Sequence, residues 1–203
     1  PSALARGSAA QANSQTFTDS TGENANAPDI TSIAVSNDDS GLITFKVNIS
    51  NRPSLTDDMF VAVYVDTDKN TSTGDPQAAG ADYVLELDPG SVSLFKWNGS
   101  DYADAPSQTS VTFSYDSTGA TIRAGAADLG GTKGLNFSVL TISGIGTDSS
   151  GNADFSKAAG DAAPDLGHGT YAYDVLTKLT LSAVSLTTTP KPAVAPVAET
   201  VVA

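Results

Sequence analysis

The chain has no cysteine, one histidine, one methionine and one tryptophan among its 203 residues. Without cysteine there can be no disulfide, zinc–thiolate site or thiol nucleophile, so rigidity must come from packing or from a metal with oxygen ligands. A hydrolytic triad would need His168 as its base, and no G-x-S-x-G turn offers a nucleophile. The number of Asp and Glu residues does not exclude catalysis by a pair of carboxylates. These absences nevertheless predict that the protein is not an enzyme.

Basic residues are also scarce, with 10 Lys and Arg against 23 Asp and Glu and a formal net charge of -13. Such a chain repels nucleic-acid phosphates and anionic lipids, and it attracts cations. No apolar run approaches the roughly 18 residues of a membrane-spanning helix. We therefore expect neither a nucleic-acid partner nor membrane insertion.

Period-two alternation of apolar and polar residues is abundant, which is typical of half-buried strands. In the segment at residues 42–49, every second residue from Ile43 to Ile49 is apolar. Similar segments begin near residues 30, 59, 83, 92, 111, 121, 136, 171 and 179, with Gly, Asp or Asn turns between them. About nine to ten short strands predict an all-β fold, an antiparallel β-sandwich with Greek-key or jelly-roll-like connections. The only helix candidate is one turn at residues 126–129.

The ends of the chain differ in composition from its middle. Residues 1–15 have few apolar anchors and are predicted to be a flexible tail, and residues 16–186 are predicted to form the sandwich. Residues 187–203 are rich in Pro, Thr, Ala and Val, which favours a linker or a tail that donates a strand to a neighbouring sheet.

The most specific motif is a run of oxygen-bearing residues that follows an apolar strand. Its candidate metal ligands are Asp66, Asp68, Asn70, Thr73, Asp75 and Asp82. Alternate residues of a tight loop point to the same side, and calcium takes six to eight oxygen ligands. The motif therefore predicts a Ca²⁺ site. The alternative is that these residues simply form turns, which their side chains also favour.

A second and weaker constellation joins the two ends of the predicted sandwich. Asp19, Glu23 and Asp29 lie near the first predicted strand, and Asp165 follows a late Ala-Pro pair. If the first and last strands are neighbours, the four carboxylates meet and form a second metal site. Separate turns and strand caps are the alternative.

Trp97 and Tyr102 flank an Asn-Gly turn and are the candidate ligand-binding residues, because their rings offer stacking faces to a sugar. The alternative is that Trp97 is half-buried at the end of its hairpin.

The chain resembles the group of DOMON domains and family 9 carbohydrate-binding modules. The resemblance covers about residues 17–186, and its motifs lie at residues 17–23, 29–31, 61–87 and 94–99. It implies a β-sandwich that bears structural calcium and binds sugars, haem or another small ligand. Haem-binding members use Met and His ligands, and sugar-binding members hold the sugar between two tryptophans, whereas this chain has one of each residue.

These observations together predict a secreted or cell-surface module, stabilised by Ca²⁺, that binds an extracellular glycan or surface polymer. The alternative function is a self-assembling surface or filament subunit that associates through its tails. An enzyme is the third possibility.

Overall fold

The computed structural model describes residues 11–177, which form two antiparallel β-sheets packed face to face around one apolar core. The first sheet has five strands in the order β1-β2-β3-β9-β8. Their bounds are β1 Gln11–Thr18, β2 Ile30–Asp38, β3 Leu42–Ile49, β8 Thr112–Asp116 and β9 Gly119–Gly125. The expected all-β sandwich is confirmed, although residues 11–177 form fourteen strands instead of the predicted nine to ten.

The second sheet has seven strands in the order β13-β10-β4-β5-β6-β7, with β14 also paired to β10. Their bounds are β4 Phe60–Asp66, β5 Tyr83–Asp88, β6 Ser91–Trp97, β7 Tyr102–Asp104, β10 Gly134–Ser143, β13 Ala159–Ala163 and β14 Tyr171–Asp174. A small ribbon pairs β11 Gly146–Thr147 with β12 Ala153–Asp154.

The alternation read from the sequence matches the faces of the strands. Every second residue of β3 is buried, and Ile43, Phe45 and Val47 lie in the core with no exposed surface. Four aromatic rings then join the sheets, because Phe137 of β10 lies 5.5 Å from Phe45 and 5.2 Å from Phe17. Phe17 in turn lies 4.7 Å from the ring of Tyr171. Aromatic contacts of this kind add to the free energy gained by burial alone.

Two predictions about local structure are wrong. Residues 11–15 belong to strand β1 and not to a tail, because their backbone pairs with β2 although their side chains are polar. Residues 126–129 form hydrogen-bonded turns instead of a helical turn, and the single helical element of residues 11–177 is a 3₁₀ turn at Pro76–Ala78. The predicted strand at residues 179–186 and the tail at 187–203 lie outside the described residues.

Within residues 11–177, no helix has the length and apolar character that crossing a bilayer requires.

Asp128 shows how this fold ordinarily accommodates a buried carboxylate. Burial raises its pKa, but hydrogen bonds from Ser107 and Ser110 outweigh that effect and hold the pKa at about 2. The carboxylate thereby fastens the 107–110 segment to the end of β9, where Gly125 N–H donates to the Ser110 hydroxyl at 2.6 Å. Its role is structural.

Candidate metal centres

Three carboxylates converge where strands β4 and β5 meet. Asp66 ends β4, Asp82 immediately precedes β5, and Asp68 lies in the loop between them. Each contributes one carboxylate oxygen to a group in which all oxygens lie within 4.8 Å of one another. Asp66 is only 2% exposed, so this group is anchored in the body of the sandwich.

Hydrogen bonds from the loop hold these carboxylates in place. The Asn70 N–H donates to Asp68 Oδ1 at 2.9 Å and to Asp66 Oδ1 at 3.2 Å. The Thr67 hydroxyl and N–H donate to Asp82 Oδ2 at 2.7 and 2.9 Å. These bonds occupy some of the carboxylate lone pairs and orient the rest, because each ionised carboxylate offers about four acceptor sites.

The cation nearest in sequence is turned away from the group. Lys69 adopts a left-handed backbone conformation with φ of 57°, and its Nζ lies 2.8 Å from Asp174 Oδ1. Burial raises the pKa of Asp66, and the neighbouring Asp68 raises it further, against hydrogen bonds from Asn136 and Asn70 that lower it. The site therefore holds negative charge that its own loop only partly offsets.

The remaining residues of the predicted set surround this group in different ways. The Thr73 hydroxyl lies 3.0 and 2.9 Å from the two oxygens of Asp68. The Asn70 side-chain oxygen accepts from the Ser72 N–H at 3.1 Å. Asp75 does not join the group, because its carboxylate caps the 3₁₀ turn and accepts from the Gln77 N–H at 2.8 Å.

A second group of carboxylates lies at one edge of the sandwich. Oxygens of Glu23, Asp29 and Asp161 all lie within 4.8 Å of one another. Asp161 was missed by the sequence reasoning because β13 consists of Ala, Gly and Asp, which carry no strand signal. Its Oδ2 accepts from the Ile30 N–H at 2.7 Å, which ties β13 to the start of β2.

Asp19 and Asp165, the other two predicted members, lie within electrostatic reach of this group. The pKa of Asp19 is raised to about 6 by burial, then by the charges of Asp161 and Asp165, while a hydrogen bond from Tyr171 lowers it. Asp165 Oδ2 accepts from the Ser20 hydroxyl at 2.8 Å. Loops from both ends of the sandwich therefore bring their carboxylates to one place.

Asp19 differs from Asp128 in the way its charge is accommodated. Among the described residues, Asp19 Oδ2 is the one buried side-chain polar atom that lacks a hydrogen-bond partner. An unsatisfied buried acceptor is costly, whereas the Asp128 oxygens are surrounded by donors. A cation at this point would relieve the cost at Asp19, and nothing comparable is needed at Asp128.

We expect Asp19→Asn to stabilise the protein in EDTA at pH 7 and to have little effect at pH 4. A carboxyl whose folded-state pKa is about 6 contributes stability that is present below its unfolded value and is lost as pH rises through about 6. The neutral amide is not subject to this loss. Urea unfolding of both proteins from pH 4 to 7 measures the difference, and parallel curves would contradict the shift.

The predicted stacking residues are neighbours across a hairpin. Trp97 of β6 pairs with Tyr102 of β7, and their ring centroids lie 5.2 Å apart at 64°. Both side chains are half-buried, and the Tyr102 hydroxyl lies 3.3 Å from the carbonyl oxygen of Ala81. The Tyr102 ring also lies 6.4 Å from that of Tyr64, so the pair continues into a row of three rings.

Comparisons of the chain with protein-family models, with curated proteins and with solved structures give no match. The resemblance to carbohydrate-binding modules therefore stays a prediction that depends on the sequence motifs.

Proposed function

We propose that this protein is a non-catalytic binding module, stabilised by Ca²⁺, that works outside the cell on a glycan or surface polymer. The observation that carries the proposal is the convergence of Asp66, Asp68 and Asp82 within 4.8 Å, with Asp66 buried. The second group, centred on Glu23, Asp29 and Asp161, supports the same function independently.

The physical case for a cation is electrostatic. Like charges held this close repel one another and oppose folding, and an oxygen-binding cation turns that repulsion into attraction. Carboxylates together with loop carbonyls and hydroxyls form a ligand set that suits calcium. Magnesium prefers fewer protein ligands and keeps more of its water.

The proposal that the module is non-catalytic is supported by the position of the single histidine. His168 is exposed, and its backbone N–H donates to the Asp165 carbonyl oxygen at 3.0 Å. Its place is in the loop that follows β13, where it supports a turn.

Thermal unfolding in EDTA and then in millimolar Ca²⁺, followed together with light scattering, tests the proposal. We expect the melting temperature to rise with Ca²⁺ while the particle stays monomeric, because ions that bind only the folded state stabilise it. An unchanged melting temperature would show that both acidic groups only stabilise turns and bind no Ca²⁺. Calcium-driven growth of large particles would instead favour the self-assembling subunit.

A further inference from the structure

The outer face of the second sheet carries a groove of about 600 Å³ that the sequence motifs did not predict. Its floor includes Tyr64 of β4 with Ser138 and Leu140 of β10. One wall is the segment at residues 75–79, and the other is the loop at residues 164–169. The groove therefore lies between the loop of the first carboxylate group and the loop that carries Asp165.

The floor combines an aromatic ring with small and apolar side chains. Tyr64 stands opposite Ser138 in the pairing of β4 with β10, and both are half-buried. From Tyr64 the row of rings defined by Tyr102 and Trp97 runs on along the sheet. Tyr64 is the one ring of this row that lines the groove itself.

The charged groups that line the groove within residues 11–177 are all of one sign. Asp75 stands on one wall and Asp165 on the other, and no Lys, Arg or His of that described part of the chain lines the groove. Asp75 and Glu86 both lie within electrostatic reach of the Tyr64 hydroxyl. The negative potential therefore extends from the walls to the floor, and an acidic ligand would be repelled.

We propose that this groove binds an aminosugar polymer whose amino groups are free. The proposal rests on the glycan-binding function proposed above and names the class of glycan. The ring of Tyr64 on the groove floor offers an apolar face on which a sugar ring can stack. The carboxylates of Asp75 and Asp165 pair with the ammonium groups, and the carboxamide of Gln77 adds hydrogen bonds to hydroxyls.

Charge complementarity favours the free amine over its acetylated form. Hydrogen bonds to charged groups are about twice as strong as neutral ones, and partial burial weakens the screening by solvent. A neutral sugar would gain stacking and hydrogen bonds but no ion pair. The affinity should therefore fall as salt concentration rises, which a neutral glycan would not show.

The test is calorimetric titration, at saturating Ca²⁺ and low salt, with a glucosamine hexamer, its fully N-acetylated counterpart and hexalysine. We expect the glucosamine hexamer to bind at least ~10-fold more tightly than either of the others, which corresponds to about 1.4 kcal/mol. Asp165→Asn should weaken this binding several-fold, because the amide keeps the size of the side chain but removes its charge. Asp57→Asn is the matched control, since Asp57 is exposed and outside the groove.

Two patterns of affinity would overturn the proposal. Equal affinity for the acetylated hexamer would show that the groove does not recognise the free amine. Equal affinity for hexalysine would show that it does not recognise the sugar. Loss of binding in Tyr64→Leu with an unchanged melting temperature would support the stacking role. A protein stabilised by Ca²⁺ that binds no hexamer overturns the groove alone, whereas binding without any calcium effect overturns the calcium-stabilised module and leaves the groove standing.

Discussion

At the proposed calcium site, Asp66→Asn is expected to abolish most of the stabilisation that added Ca²⁺ should give. An ion present at about a hundred times its dissociation constant adds about 2.7 kcal/mol to the free energy of unfolding. For a domain of this size that is roughly 5–10 °C in melting temperature. Asp66 is the buried member of its group, so its charge is the one whose removal matters most to a bound cation.

In EDTA the same substitution should leave the melting temperature unchanged or raise it. Without a cation, the buried Asp66 carboxylate faces Asp68, and burial and that neighbour both raise its pKa. Removing its charge then relieves repulsion, so the variant should melt at the same temperature as the unmodified protein or higher. Asp128→Asn serves as the control, because its amide nitrogen cannot accept and so loses the hydrogen bonds from either Ser107 or Ser110, which should lower stability equally in both buffers. An equal loss for Asp66→Asn in EDTA and in Ca²⁺ would assign Asp66 to the turn alone.

Gly119→Ala is expected to destabilise the protein by about 4 kcal/mol or more, a size reserved for a few mechanisms such as backbone clash. Gly119 opens β9 with φ of 122°, and a Cβ there would lie 2.2 Å from the Val47 carbonyl oxygen and 2.9 Å from the Ile49 N. Both obstacles are backbone atoms of β3, which cannot move without breaking the pairing of β3 with β9.

Gly99→Ala is the matched control for this clash. Gly99 also has a positive φ, of 103°, but a Cβ there would meet no atom within 4 Å. Its cost should be limited to conformational strain of about 1–2 kcal/mol. Urea denaturation of both variants measures the difference, and similar losses would show that strain and not contact governs position 119.

Much of the fold could be predicted because its central strands carry their own signal. β3 alternates strictly, and β4 is nearly all apolar, so each one identifies its buried face without help from the rest of the chain. β1 and β13 could not be found in this way. β1 is polar and β13 is made of Ala, Gly and Asp, and both become strands only because neighbouring strands offer hydrogen bonds.

The candidate sites also differ in whether the local sequence is enough to predict them. Asp66, Asp68 and Asp82 lie at the end of β4, in the β4–β5 loop and just before β5, so their order along the chain already indicates that they meet. Asp161 reaches Glu23 and Asp29 only through the pairing of β13 with β10 and its bond to the start of β2. The groove depends on loops that are about 90 residues apart in sequence, and such proximity is a property of topology that local pattern does not contain.

The two loops that wall the groove also carry acidic groups, and this shared structure has a thermodynamic consequence. Asp165 faces the groove and also acts electrostatically on Asp19. Asp75 lies on the loop that carries Asp68. Binding at one place that orders a loop lowers the cost of ordering it for the other. Reciprocity then requires that whatever factor calcium contributes to the affinity for a polymer, the polymer contributes to the affinity for calcium. Calcium affinity measured with and without the polymer therefore reports the same coupling as polymer affinity measured with and without calcium.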